Sequence, residues 1–546
     1  MNDLSNFNNI YANLAESAYN DRPNLFPYKS LYKPLYKPQR NILDSGESLK
    51  FDFSQDTTFK HSDGVESFVK GGKNLPNKGV VYLQPDKTLH AEPIKSTYSV
   101  PKVNGGYEQV PYDTLKTYQK GLLTDEKAGF NAYFVTDTAK LDETTRQTYL
   151  TIRGSDGASI SSLNDWVSND ANFALTDGYI PQAKLANQAL KEKIKELNAK
   201  APNAVLNVTG HSLGTMVSAQ AVAKLYQDDV KAFDKIGKVV LFNGPDVTQS
   251  LKKMGLSDKE IQKIGEKVTY YVNPFDIVSM LNRTEPLEKQ FGKMNIIVPL
   301  HFNSTFDGQS SHDFGEFQLD AHGNPLVASK SFHPELLEAG EKLAKLIDKT
   351  ISTLSVSVSI TGLAGAIAGG ITGLIALGLT AVQAKELYDS YQNIIQVAKK
   401  KSKAWNTAHI PDYQNRIRSA TGAQKIELRA ELLQSVAQDA VFQSEDMVIE
   451  IKTMVDEAKE KVQQTINETH RAVGNIVQYL DYWEVNNLLS EFNLSQFWDT
   501  GNEEEIRSKT DHYQKEMEHF ATTLMKVSQN IQEVDAQGAV GFSKLM

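Results

Sequence analysis

No cysteine occurs among the 546 residues. Its absence removes disulfides, thiolate catalysis and cysteine-ligated zinc together, and leaves a chain indifferent to redox compartment. An excess of positive charge is missing too: the formal net charge of -9 argues against a nucleic-acid polyanion as partner. The first ten residues, Met1 to Ile10, contain neither a basic stretch nor an apolar run, so no ordinary secretory signal peptide is expected there. Charge is absent from one long internal run, Thr350 to Ala384. Elsewhere the composition is ordinary for folded protein, with 40% hydrophobic and 23% charged residues. The length calls for two or more domains.

What is present centres on Gly210-His211-Ser212-Leu213-Gly214. An apolar run, Ala204 to Val208, leads into this G-x-S-x-G turn, and a small-residue helix, Thr215 to Leu225, is expected to follow. A nucleophile on such a strand-to-helix elbow sits on strained backbone, and side chains on the flanking residues would clash. The strain lifts the hydroxyl clear of the sheet, and the helix N-terminus favours developing negative charge. Ser212 is therefore the candidate nucleophile, against the alternative of a plain glycine turn. Elbow geometry makes the Leu213 N–H a candidate oxyanion donor.

Around the elbow, strand and helix patterns alternate. Strands are expected at Val80–Leu83, Gly129–Thr136, Gln147–Ile152, Lys238–Phe242, Val268–Val272 and Asn295–Val298, with an amphipathic helix over about Pro181 to Asn198. This alternation predicts an α/β fold, a doubly wound, mostly parallel sheet covered on both faces. In such sheets function sits at the C-terminal ends of strands, where Ser155, Ser212 and Asp276 lie. A short helix is expected within Ser5–Tyr19. The doublet Leu31-Tyr32-Lys33-Pro34, Leu35-Tyr36-Lys37-Pro38 reads as an extended surface segment.

Gly129-Phe130-x-Ala132, Ile152-Arg153-Gly154-Ser155, Asp165-Trp166, Gly210 to Gly214, Asn243-Gly244-Pro245 and Asn273-Pro274-x-Asp276 follow one another in the order found in class 3 lipases. Over roughly residues 5 to 330 the chain resembles that α/β-hydrolase family. The resemblance implies an ester hydrolase needing no metal or cofactor, with Ser155 giving one oxyanion-hole N–H and Leu213 the other. Many family members carry threonine where this chain has Ser155. Asp276 fits the acid of a Ser-Asp-His triad, the alternative being an Asx turn or helix cap before Ile277. The base must be a later histidine, because the order is serine, acid, histidine. His301, His312, His322 and His333 are open. His312, in a polar loop and followed by Asp313-Phe314, is favoured, as similar family members carry a histidine and an aromatic there. Asp156 to Leu175 stands where the family keeps its lid, with Ile160, Leu163, Trp166, Val167 and Phe173 as a lipid-facing, substrate-binding surface; Trp166 is as readily a core residue. His211 is expected to be structural.

The C-terminal half carries no catalytic constellation. Gly365-x-x-x-Gly369-x-x-x-Gly373 makes a small-residue ridge inside the uncharged run, which suits either a buried hairpin or a membrane-inserting segment. Beyond it, Val448, Ile451, Val455, Ala458, Val462, Ile466, Val473, Ile476 and Leu480 form one helical seam. Tyr513, Met517, Phe520, Leu524, Val527, Ile531 and Val534 form a second. Residues 385–546 hold 18 basic and 25 acidic groups, most of the chain's negative charge. Three regions are expected: a lipase domain over 1–335, a helix with a glycine-rich linker or hairpin over 336–384, and an elongated helical domain over 385–546.

A lipase-like half joined to an acidic helical arm resembles the type VII-secreted lipase toxins of Gram-positive bacteria, with an LXG-like targeting domain placed at the C-terminus. This resemblance implies phospholipase A-type activity against a competitor's membrane and export without a Sec signal. It further implies small helical partner proteins of the WXG100 or Lap kind on the arm, contact with secretion machinery, and an immunity protein. Competing expectations are a neutral-lipid or short-ester lipase with a helical anchor, a membrane-inserting toxin using residues 350–384, and a scaffold with a dead hydrolase fold.

Overall fold

The computed structural model describes residues 9–19, 26, 37–60, 66–69, 79–102, 106–154, 179–305, 310–314, 317–318, 324–353, 375, 379–476 and 480–543. Ser155, the lid residues Ile160, Leu163, Trp166, Val167 and Phe173, and His322 lie outside them, as does most of the uncharged run. Packing divides the chain between Ser402 and Lys403. That boundary falls inside one helix, α6 (Ala381–Ser419). The first part of α6 belongs with the sheet because Ala384, Leu387, Tyr391, Ile395, Ala398 and Ser402 recur every three or four residues and are all buried.

The first unit is built on one sheet. Five strands run parallel: β9 (Gln147–Ile152), β10 (Val205–His211), β11 (Ile236–Phe242), β12 (Val268–Val272) and β13 (Lys293–Ile296). Antiparallel strands extend it beyond β9: β8 (Phe130–Thr136) pairs with β9, and β4 (Val80–Leu83) pairs with β8 and with β1 (Leu49–Asp52). All of β8 is buried, as expected for a strand covered on both faces. On one face α1 (Ile10–Ser17) sends Ile10 and Leu14 against Tyr133, Val135 and Tyr149. The other face is covered by α2 (Pro181–Lys200) and α3 (Leu213–Asp228), with Lys193 Nζ 4.5 Å from the Phe134 ring centroid. Alternate β8 side chains thus serve opposite layers.

Strands β2 (Thr57–Lys60) and β3 (Glu66–Val69) form a separate antiparallel pair. A long ribbon, β5 (His90–Pro101) paired with β6 (Tyr107–Lys120) and joined to β8 through β7 (Thr124–Asp125), has no counterpart among the strands expected from sequence. Both of its faces are largely exposed, and Pro93, Pro101 and Pro111 interrupt the pattern, so there is no alternation of apolar and polar residues to detect.

In the second unit α7 (Gly422–Ile476) and α8 (Thr500–Ser543) pair antiparallel, joined by Lys452–Asp511 and Lys459–Glu503 ion pairs, each 2.8 Å. No described side chain of the second expected seam is buried, and Met517, Leu524 and Ile531 are half-buried. Ala521, Met525 and Ser528 are buried, whereas Tyr513, Phe520 and Val527 are exposed. Small side chains let the two helices approach, and Ser528 Oγ donates to Ala430 O at 3.2 Å. Tyr513, Phe520 and Val527 are thereby turned outward. No described helix is long and apolar enough to cross a membrane.

Candidate active site

Strand β10 ends at His211 and α3 begins at Leu213, leaving Ser212 alone at the turn with φ 58° and ψ -129°. A non-glycine residue holds that conformation only where its surroundings over-determine it. Here they do. A Cβ on Gly210 would stand 2.7 Å from Gly214 O, and one on Gly214 would run into the carbonyl of Ile152 on the neighbouring strand. Ser212 O accepts from Thr215 Oγ1 at 2.6 Å, and Gly214 O accepts from Ser218 Oγ at 2.6 Å, closing the first turn. As the first helical residue, Leu213 has an N–H with no intrahelical acceptor.

Strand β9 delivers Gly154 against this turn: a Cβ there would meet His211 O at 2.7 Å and Ser212 Cβ at 3.0 Å. Ser155 follows, outside the described residues. Tyr19, just beyond α1, secures the approach. Its hydroxyl accepts from the Gly154 N–H at 3.1 Å and lies 2.9 Å from His211 Nδ1. His211 Nε2 lies 2.8 Å from His312 O, a carbonyl that can only accept. Neutral His211 therefore carries its proton on Nε2, and Tyr19 donates to Nδ1. One relay thus connects the strand before Ser155, the residue before Ser212 and the loop bearing His312.

Asp276 follows β12 and is fully buried. Its carboxylate caps α4 (Ile277–Met280), accepting from the N–H groups of Val278 at 3.1 Å and Ser279 at 2.9 Å, and from Ser279 Oγ. The same carboxylate stands 2.8 Å from His312 Nδ1. Helix cap and acid partner are one arrangement, since the cap fixes the carboxylate that receives the imidazole. Burial alone would raise the Asp276 pKa, but the charge of His312 and the hydrogen bonds of His312 and Ser279 hold it below the ordinary aspartate value. For His312, burial works against the imidazolium. The Asp276 carboxylate outweighs it by charge and hydrogen bond, and Asp313 adds to it, so the pKa stands above the ordinary histidine value. With Nδ1–H donated to Asp276, Nε2 is a proton acceptor, and it makes no hydrogen bond among the described residues. The ring is 23% exposed and lies 4.8 Å, centroid to centroid, from His211, the neighbour of Ser212.

Asn243, at the end of β11 with φ 48°, holds the two loops together. Its Nδ2 donates to His312 O at 2.9 Å, while its Oδ1 accepts from the Asn273 N–H at 3.0 Å. Buried Arg283 donates to Ser279 O at 2.6 Å and Gly244 O at 2.7 Å, tying α4 to the β11 exit. Of the other histidines considered, His333 is buried in a pair with Glu335 at 2.7 Å, and His301 is buried beside β13. Asn243 stood in a recognisable motif, whereas nothing in the sequence marked Tyr19, which lies 192 residues from its partner His211. Among the described residues no group of three acidic or histidine side chains could hold a metal ion.

Residues 149–285 match the family model of the class 3 lipases. The match runs from β9 past α4 and takes in Ser155, Ser212, Leu213 and Asp276, but not His312. The match supports a class 3 lipase domain in this part of the chain, a similarity that points to an ester hydrolase. No curated protein and no solved structure matches the chain.

Proposed function

We propose that this protein is a serine phospholipase that hydrolyses carboxylic esters with Ser212 as nucleophile, His312 as base and Asp276 as its orienting acid. The observation that carries the proposal is the pair of Asp276 and His312, 2.8 Å apart, beside the residue that precedes strained Ser212. Ser212 Oγ attacks the ester carbonyl carbon as its proton passes to His312 Nε2. The oxyanion is held by the N–H groups of Leu213 and Ser155, each such donor being worth roughly 3–4 kcal/mol. Collapse returns the proton to the departing alcohol and leaves an acyl-serine, which water, deprotonated by His312, then cleaves.

A phospholipid substrate, export by a type VII route and action as an antibacterial toxin at a target membrane form the wider proposal, supported by the resemblance of the whole chain. Partner binding has separate support. Ile506, Tyr513, Phe520 and Val527 fall seven residues apart along α8 and are exposed, a stripe suited to a small helical partner. Secretion machinery and an immunity protein complete the proposal.

The test is ester release from phospholipid vesicles and from triglyceride emulsion by wild type and Ser212→Ala. Turnover of phospholipid lost in Ser212→Ala, with an unchanged circular dichroism spectrum, is expected. Turnover retained by that variant rejects the nucleophile, and preference for triglyceride rejects the substrate. Vesicle leakage by Ser212→Ala would shift the toxic role to the uncharged run, 350–384.

A further inference from the structure

The carboxylate of Asp276 is held by more than its own helix. Thr305, beyond β13, places Oγ1 3.3 Å from Asp276 Oδ1 and 2.9 Å from the Ile277 N–H, which it accepts. The same oxygen lies 3.4 Å from Phe275 O. A threonine hydroxyl has one proton to give, and Phe275 O, Asp276 Oδ1, Ser311 Oγ at 3.4 Å and the Tyr391 hydroxyl at 3.3 Å compete for it. Tyr391, on the buried face of α6, resolves the competition. Its hydroxyl donates to Phe275 O at 2.6 Å and accepts from the Thr305 N–H at 2.8 Å. With the Phe275 carbonyl already served at the shorter distance and the Tyr391 oxygen accepting from the Thr305 N–H, the charged Asp276 carboxylate is the strongest acceptor left for the Thr305 proton. Tyr391 is 1% exposed, and 115 residues of chain separate it from Asp276.

We infer that Tyr391 is a positioning residue for the Asp276–His312 pair, so that the helix following the glycine-rich run completes the hydrolase site. The inference rests on the proposed roles of Asp276 and His312. A phenylalanine at 391 fills the same space but neither donates nor accepts. Phe275 O and the Thr305 N–H then lose their partner in a buried setting, and the Thr305 hydroxyl turns to the carbonyl. Asp276 loses a donor and His312 its fixed orientation. Neighbouring contacts agree with a built connection between α6 and this region: Ser402 Oγ donates to Glu335, the partner of His333, and Lys401 pairs with Glu338 on α5 (Pro334–Thr353). Helix α5 in turn meets α4, where a Cβ on Gly340 would stand 3.2 Å from Met280 Sδ.

The test uses the full chain and compares Tyr391→Phe with Ile395→Ala, which thins the buried face of the same helix one turn away without touching the hydroxyl. Kinetics on a water-soluble ester and the low-field imidazole proton resonance of His312, assigned by its loss in His312→Ala, are the readouts. For Tyr391→Phe, kcat is expected to fall about tenfold with KM within about twofold, since misplacing a catalytic group costs rate rather than binding. The His312 resonance shifts or vanishes. Ile395→Ala lowers the melting temperature but keeps kcat and the resonance. Wild-type kcat and resonance in Tyr391→Phe, or equal loss in both variants, overturns the inference. If wild type cleaves no ester, the hydrolase reading fails on its own, while the resonance still decides whether Tyr391 holds the pair.

Discussion

His312 Nδ1 and Asp276 Oδ2 stand 2.8 Å apart, with the carboxylate fully buried and the imidazole at the edge of solvent. A buried carboxylate that caps a helix and receives an imidazole is fixed before any substrate arrives, which is the condition for orienting a base.

The pair sets a pH dependence. As the proposed base His312 must be neutral, and Asp276 raises its pKa above the ordinary histidine value. The rate therefore falls as pH drops through a value above that of free histidine. In Asp276→Asn the carboxylate is gone and burial remains, so the acid limb of kcat/KM moves to lower pH. The rate itself falls on the order of 10³–10⁴-fold because the amide can hold the wrong tautomer. A pH profile of both proteins checks this, and an unmoved limb would separate His312 from the rate.

Tyr19 offers a second test. In Tyr19→Phe the Gly154 N–H and His211 Nδ1 lose their partner, which costs about 1–3 kcal/mol where such groups are buried. Part of that appears as rate, because the relay ends on the carbonyl of His312. We expect kcat lower by about tenfold, equivalent to roughly 1.4 kcal/mol. Steady-state kinetics and a denaturant melt measure the two parts separately. Rate and stability both at wild-type level would show the relay to be idle.

The helical unit is tested by two adjacent residues. Ala521 is 0% exposed and Phe520 48%. Ala521→Leu forces methyl groups into the contact between α7 and α8 and should cost about 1–3 kcal/mol. Phe520→Ser changes a surface side chain and should stay within about 0.5 kcal/mol. Thermal unfolding followed by circular dichroism distinguishes them, and the reverse ranking would restore the seam read from sequence.

Much of the sheet was legible because it is local. The central parallel strands β9, β10 and β11 are short, largely apolar runs closed by turns and mostly buried on both faces, so hydrophobicity marks them, whereas the edge strand β13 is partly exposed. Gly210 and Gly214 flag the elbow because only glycine fits there, and Asp276 ends its strand in a turn. The ribbon β5/β6 was invisible because it buries neither face. On α8 the heptads marked a real periodicity but could not say which side of it meets α7, since Ala521 packs more closely than Phe520.

Sequence by itself determined which residues could be a nucleophile, an acid and an oxyanion donor, because a backbone turn and its side chain are adjacent in the chain. It left four histidines open, and tertiary structure alone brought His312 to Asp276. Tyr19, Asn243, Thr305 and Tyr391 were also decided by the fold. Their partners are distant in sequence, and such a pairing leaves no period, composition or spacing to read; only Asn243 stood in a motif, which did not show what it would hold.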